Sequence, residues 1–144
     1  MKRVFIMMIS AVILGSISGK LLFSKYKDDS FNDGKNLYFL QEGVYDSKES
    51  LESNTKDIKG KLVIPNKDKY YVYVGITGTN DNVEKIKKVY TKKGYSIYKK
   101  QIKVDNLEFI NNIEQFDILL DNASNNDILT IEEVVLSNYE DLHS

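Results

Sequence analysis

The sequence predicts an α+β fold in which a four-stranded antiparallel sheet is built in the order β-α-β-β-α-β and is followed by a helical hairpin. The main observation is an internal near-repeat. Leu40–Tyr45 and Val72–Thr77 each run as an apolar strand into a glycine, then into a polar turn and an amphipathic helix, at an offset of about 32 residues. Aligning Gly43 with Gly75 brings strand, turn and helix into register together, which indicates one supersecondary unit present twice. Apolar residues then recur at helical spacing up to the C-terminus.

Composition limits the chain to one small domain with attachments. It has 144 residues, of which 42% are hydrophobic and 28% charged. A net charge of −1 provides no general attraction for nucleic acid, which is therefore not an expected partner. The absence of cysteine excludes disulfides, thiolate nucleophiles and cysteine-ligated zinc. Lysines crowd the region 85–100, where a solvated helix face is the default interpretation and contact with anionic wall polymers or lipid headgroups is the alternative.

The N-terminus is expected to direct the chain to a membrane. Lys2 and Arg3 precede Val4–Phe23, which is apolar enough to span a bilayer if Lys20 reaches the interface. We therefore predict an uncleaved membrane anchor over 1–23. A cleaved signal peptide is the alternative, because Ser16–Ser18 has small residues at suitable spacing. In both cases the positive N-terminus stays in the cytoplasm and the remainder lies outside it.

The first half of the predicted domain follows a polar tether over 24–36. Tyr38–Val44 is the first strand. The capping box Asp46-x-x-Glu49 then begins a helix that Gly60 ends. Leu62–Ile64 forms a short second strand before a turn that contains the chain's one proline.

The second half repeats this pattern more strongly. Tyr70–Thr77 is β-branched or aromatic at nearly every position and is the third strand. Asn80 or Asp81 caps the next helix, which Gly94 ends, and Ser96–Val104 is the fourth strand.

The C-terminal segment 105–144 is predicted to form two helices. Asp105-x-x-Glu108 and Thr130-x-x-Glu133 have the spacing of capping boxes. Both helices carry apolar faces, which are expected to pack on the preceding domain because isolated helices of this length are marginal in water. The residues expected at this contact are Phe109, Ile113, Phe116, Val135 and Leu142.

The domain at 37–104 resembles the SPOR domain, a sporulation-related repeat family. The resemblance is carried by Tyr38–Tyr45, which reads aromatic-x-x-Gln-x-Gly-x-aromatic, by Tyr71–Gly75, and by Gly94 before the last strand. It implies a ferredoxin-like fold and a bacterial cell-envelope protein held at the cytoplasmic membrane. It further implies binding of peptidoglycan glycan strands stripped of stem peptides, at sites of cell division or sporulation. A protein–protein adaptor in an envelope complex, without glycan binding, is the alternative function.

Strand alternation suggests which side chains would meet a glycan. If Leu40, Val72 and Val74 face the helices, the opposite face of the sheet is open, aromatic and amide-bearing. Aromatic rings stack on the apolar faces of sugars, and amides pair with hydroxyls. The alternative is that the C-terminal hairpin covers this face. The predicted glycan-binding residues, including the two glycines expected to allow close approach, are Phe39, Gln41, Gly43, Tyr45, Tyr71, Tyr73, Gly75 and Tyr98.

No catalytic, cofactor or metal site is predicted. His143 lies next to the C-terminus, and no base or acid is grouped with it. Asp121, Asn125, Asp127 and Glu132 have EF-hand-like spacing, but Ala123 removes an oxygen ligand that the loop needs. An asparagine-rich turn between antiparallel helices is the simpler interpretation.

Overall fold

The computed structural model describes residues 34–143, which form a four-stranded antiparallel sheet and four helices. The predicted anchor over 1–23 and most of the predicted tether lie outside the described residues. Within 34–143 no helix has the length and apolar character needed to cross a membrane. The elements in chain order are β1 (Lys35–Tyr45), α1 (Lys48–Thr55), β2 (Leu62–Asn66), β3 (Lys69–Thr77), α2 (Asn80–Lys92), β4 (Tyr98–Val104), α3 (Leu107–Asp121) and α4 (Asn125–His143).

The sheet has the strand order β2-β3-β1-β4, with every neighbouring pair antiparallel. The predicted order β-α-β-β-α-β and the C-terminal hairpin are confirmed. The first strand begins at Lys35, before the boundary predicted for the domain, because Lys35 and Asn36 pair with the end of β4.

Each helix begins at a residue other than the predicted cap. Ser47, Thr79 and Asn106 are the N-caps of α1, α2 and α3, and their side chains accept hydrogen bonds from backbone N–H groups three residues later. In each case an adjacent residue could also cap, so composition alone did not select between them. The predicted cap Thr130 is wrong, since it lies within α4 and its hydroxyl donates to the Asn126 carbonyl.

Helix α2 packs on one face of the sheet, which we call the helix face. A Cβ placed on Gly75 of β3 would meet side chains of Ile86 from α2 and Leu40 from β1 at 3.3 Å. Leu40 is paired with Gly75 across the two strands, so both point to this side.

The hairpin of α3 and α4 covers part of the opposite face. Tyr139 of α4 lies edge-on to Phe39 of β1 with ring centroids 5.3 Å apart, and Phe39 lies edge-on to Tyr73 at 5.5 Å. Phe109 of α3 also contacts Tyr139, at 5.1 Å. Phe39 and Tyr73 are therefore buried. The packing contact predicted for the hairpin is confirmed, since Phe109, Ile113, Phe116 and Val135 are buried and Leu142 packs against the same core.

The hairpin contact makes a direct prediction about stability. Phe109→Ala removes a ring that is wholly buried, so we expect the free energy of unfolding to fall by about 3–5 kcal/mol. Leu107→Ala, two residues earlier and 41% exposed, is the control and should cost far less. Urea denaturation followed by circular dichroism measures both. Equal losses for the two variants would contradict the docked arrangement of α3.

Candidate functional site

The candidate functional surface is on the face of the sheet opposite the helix face. It is the end of that face that the hairpin of α3 and α4 leaves uncovered. Gln41 of β1 is paired with Tyr98 of β4 on one side and with Tyr73 of β3 on the other, and Tyr73 is paired with Leu62 of β2. Directly opposed residues on antiparallel strands point to the same side of a sheet. These four side chains therefore form one row across all four strands, with Gln41 near its centre.

A second row lies farther from the hairpin. Val44 of β1 is paired with Tyr71 of β3, and Tyr71 with Ile64 of β2. Val44 is 39% exposed and Tyr98 is 67% exposed, whereas Gln41 and Tyr71 are half-buried. This end of the sheet thus presents an amide and two tyrosines, of which Tyr98 is the more exposed.

Lys100 completes this surface. It is paired with Phe39, so it points to the same side as Gln41, and its Nζ lies 5.1 Å from the centre of the Tyr71 ring. The Lys100 and Tyr71 side chains come from the two strands on either side of β1, so they meet above β1. Cations are held over aromatic rings by the ring quadrupole. We call the surface formed by Gln41, Val44, Tyr71, Tyr98 and Lys100 the open half-face.

The predicted site residues separate into three groups. Gln41, Tyr71 and Tyr98 lie on the open half-face. Phe39 and Tyr73 point to the predicted side but lie beneath the hairpin. The expectation that they are open to a ligand is therefore not met, and the alternative of a covered face applies to this half of the sheet.

Gly43, Tyr45 and Gly75 lie on the helix face, contrary to prediction. Two bulges cause this: Val74 has no counterpart on β1, and Glu42 has none on β3. Each extra residue reverses the side to which the following residues point. Simple alternation, counted from Leu40 on β1 and from Val72 on β3, therefore failed beyond each bulge.

The two glycines serve internal packing. A Cβ on Gly43 would come within 3.0 Å of the Tyr45 hydroxyl oxygen, and one on Gly75 within 2.9 Å of a Glu132 carboxylate oxygen. The Tyr45 hydroxyl donates to Glu42 at 2.8 Å. Burial, and then this hydrogen bond, raise the pKa of Tyr45 to about 12.

Two buried acids of the hairpin satisfy backbone donors at the end of β3. Strand β2 pairs with β3 only as far as Tyr73, so within residues 34–143 no strand pairs with the last residues of β3 on that side. The Ile76 N–H donates to Glu132 Oε1 at 2.8 Å, and the Gly78 N–H donates to Asp117 Oδ2 at 2.9 Å. Asp117 also accepts from the Thr77 hydroxyl. Sequence reasoning missed this role, because neither the helical position of Asp117 nor the EF-hand-like spacing of Glu132 indicates a contact with β3.

The surroundings of Glu132 favour its neutral form. The side chain is buried, its second oxygen has no hydrogen-bond partner among residues 34–143, and burial raises its pKa well above the ordinary value. The nearby Asp117 carboxylate adds to this shift. The EF-hand-like spacing is therefore not a calcium loop, since α4 begins at Asn125 and Glu132 faces the sheet. Among residues 34–143, no cluster of histidine or acidic side chains is placed to hold a metal ion.

No family model matches the chain, and no curated protein matches it. A solved structure that it resembles is the peptidoglycan-binding domain of the B. subtilis cell wall lytic enzyme CwlC. The match has a TM-score of 0.42 and 22% sequence identity, and covers 54% of this chain and 99% of that domain.

The raised pKa of Glu132 predicts how stability depends on pH. The folded state keeps a proton that the unfolded state loses above about pH 4.5, so the free energy of unfolding should fall as pH rises beyond this value. The slope is at most about 1.4 kcal/mol per pH unit for one group. This fall in the free energy of unfolding should end where the pH passes the raised pKa of Glu132.

Glu132→Gln removes this titration while it keeps an oxygen for the Ile76 N–H. We expect urea denaturation between pH 4 and pH 8 to show a smaller slope for the variant. Some slope should remain, because burial also raises the pKa of Asp117. Glu140→Gln, an exposed position on the same helix, controls for the change in net charge. Identical slopes for Glu132→Gln and the unmodified chain would contradict this assignment.

Proposed function

We propose that this chain is a membrane-tethered, extracytoplasmic SPOR-like module that binds peptidoglycan glycan strands through the open half-face. Its place of action would be a site of wall remodelling in cell division or sporulation. The observation that carries the proposal is the position of Gln41, the glutamine of the family-like motif. Its side chain lies on the open half-face beside Tyr98, whereas Gly43 and Tyr45 of the same motif lie on the helix face.

The chemistry of this surface suits a saccharide. The Gln41 amide offers both donors and an acceptor to sugar hydroxyls. The Tyr98 and Tyr71 rings offer flat apolar surfaces for the C–H faces of a sugar, with hydroxyls for further hydrogen bonds. A glycan strand is also long and narrow, so it fits an exposed row of side chains that crosses a sheet.

The hairpin restricts where such a strand can lie. Because Phe39 and Tyr73 are covered, contact is limited to the end of the sheet that carries Gln41 and Val44. The site is thus a shallow surface beside the hairpin rather than the whole sheet.

Substitution of Gln41 tests the proposal. Gln41→Ala should cost under about 0.5 kcal/mol of stability, because the side chain lies on the surface of the sheet and is only half-buried. Loss of one hydrogen-bonding group should weaken glycan binding by about 1 kcal/mol, which is roughly fivefold. Tyr98→Ala should weaken it further. The measurements are thermal unfolding and co-sedimentation of the full chain with amidase-treated sacculi.

Gln101→Ala is the matched control. Gln101 is exposed on the adjacent strand and is paired with Tyr38, on the helix side of the sheet. It should bind sacculi as the unmodified chain does. Wild-type retention of both Gln41→Ala and Tyr98→Ala would sink the assignment of the open half-face.

A second candidate function is a protein–protein adaptor in the cell envelope. It is favoured by Leu107 and Ile118, which are 41% and 56% exposed and lie about three turns apart on one side of α3. Failure of the full chain to bind sacculi before and after amidase treatment would favour this function.

The proposed tether predicts an intact N-terminus. The apolar sequence continues beyond Lys20 as far as Phe23, as a spanning helix requires and a signal peptide does not. Mass spectrometry of the native protein should therefore find the segment before Ser24 retained in the membrane fraction. A mature N-terminus near Gly19 would contradict the tether and leave the glycan proposal unaffected.

A further inference from the structure

The basic side chains of this protein are strongly segregated. The segment Lys85–Val104 contains eight of the 20 lysines and arginines and none of the 21 acidic residues. In the structure this segment comprises most of α2 and all of β4. Its exposed lysines are Lys88, Lys92, Lys93, Lys99, Lys100 and Lys103. A near-neutral chain thus carries a local positive field around α2 and β4, and Lys100 is the member of this set that lies on the open half-face.

Lys100 brings this charge onto the open half-face itself. Its ammonium group lies over the Tyr71 ring, on the side of β1 to which Gln41 also points. A neutral ring orients the ammonium group but leaves its charge uncompensated. The group retains three N–H donors, which can bind a ligand oxygen.

The neighbouring lysine shows that this placement is specific to one side of the sheet. Lys99 is paired with Leu40 and points to the helix face, where its Nζ lies 5.2 Å from the centre of the Tyr38 ring and 3.1 Å from Asn80 Oδ1. Two adjacent lysines with the same charge and the same kind of ring contact thus lie on opposite faces.

We infer that the ligand of the open half-face is an acidic glycan, whose sugar carboxylate is bound by the Lys100 ammonium group while Gln41 and Tyr98 hold the sugar. This inference rests on the proposed function and specifies the ligand class of the same surface. A carboxylate and an ammonium group form a charge-assisted hydrogen bond, which is stronger than a bond between neutral groups. In peptidoglycan, removal of the stem peptide leaves such a carboxylate on each muramic acid residue.

The experiment compares three ligands with the full chain. Sacculi are first freed of phosphodiester-linked polymers and treated with amidase. One portion is then coupled to methylamine by carbodiimide, which converts carboxylates to neutral amides, and chito-oligosaccharides serve as a soluble neutral glycan. We expect the chain to bind the acidic sacculi about tenfold more tightly than the amidated sacculi, with a preference that declines as salt rises.

The variants separate a specific contact from general attraction. Lys100→Gln should abolish the preference for the acidic form and keep binding to the amidated form, whereas Lys100→Arg should preserve the preference. Lys99→Gln changes net charge equally on the other side of the sheet and should behave as the unmodified chain does. Thermal unfolding confirms that each variant is folded, which is expected because both lysines are exposed.

Several outcomes would overturn the inference. Equal binding to acidic and amidated sacculi, or equal effects of Lys99→Gln and Lys100→Gln, would exclude a carboxylate site at Lys100 and leave the proposed function standing. Binding that disappears when the phosphodiester-linked polymers are removed would assign the positive surface to phosphate instead. Absence of binding to every glycan would overturn the proposed function, and this inference with it.

Discussion

The arrangement of this protein depends on the unpaired edge of β3. Strand β2 ends its pairing at Tyr73, so in the part of the chain that the structure describes no strand accepts from the backbone donors of Ile76 and Gly78. A buried backbone donor without a partner costs about as much as a lost hydrogen bond, and native structures rarely leave one. Here Glu132 and Asp117 supply the acceptors. The C-terminal hairpin thus provides side-chain acceptors for the edge of β3. A longer β2 would have provided backbone carbonyl acceptors at the same place.

This edge contact fixes the hairpin over one half of the sheet face. Once α4 lies along β3, its Tyr139 ring meets Phe39, and Phe109 of α3 closes the same aromatic cluster. The covered half becomes core. The remaining half keeps Gln41 and the exposed Tyr98 available, so the candidate surface is bounded on one side by the hairpin.

Much of the fold could be predicted from local patterns, because each element carries its own signal. Alternation and β-branched residues marked the strands, and helical periodicity marked the helices, including a hairpin that lies outside the resemblance to the SPOR domain. Positions that require long-range information were predicted less well. Ser47 caps α1 instead of its neighbour Asp46, which instead pairs with Lys69 at 2.6 Å, a contact that sequence spacing does not reveal.

The sequence by itself determined the order of elements, the apolar side of each helix and the lysine-rich segment that provides the positive surface. It also identified Gln41 as a candidate for recognition. Only the tertiary structure decided which candidates are accessible, because two bulges reversed the direction of Tyr45 and Gly75 and the hairpin buried Tyr73. Bulges and docking both arise from contacts between segments that are distant in the sequence. At a bulge, one extra residue changes the side of the sheet to which all the following residues of the strand point.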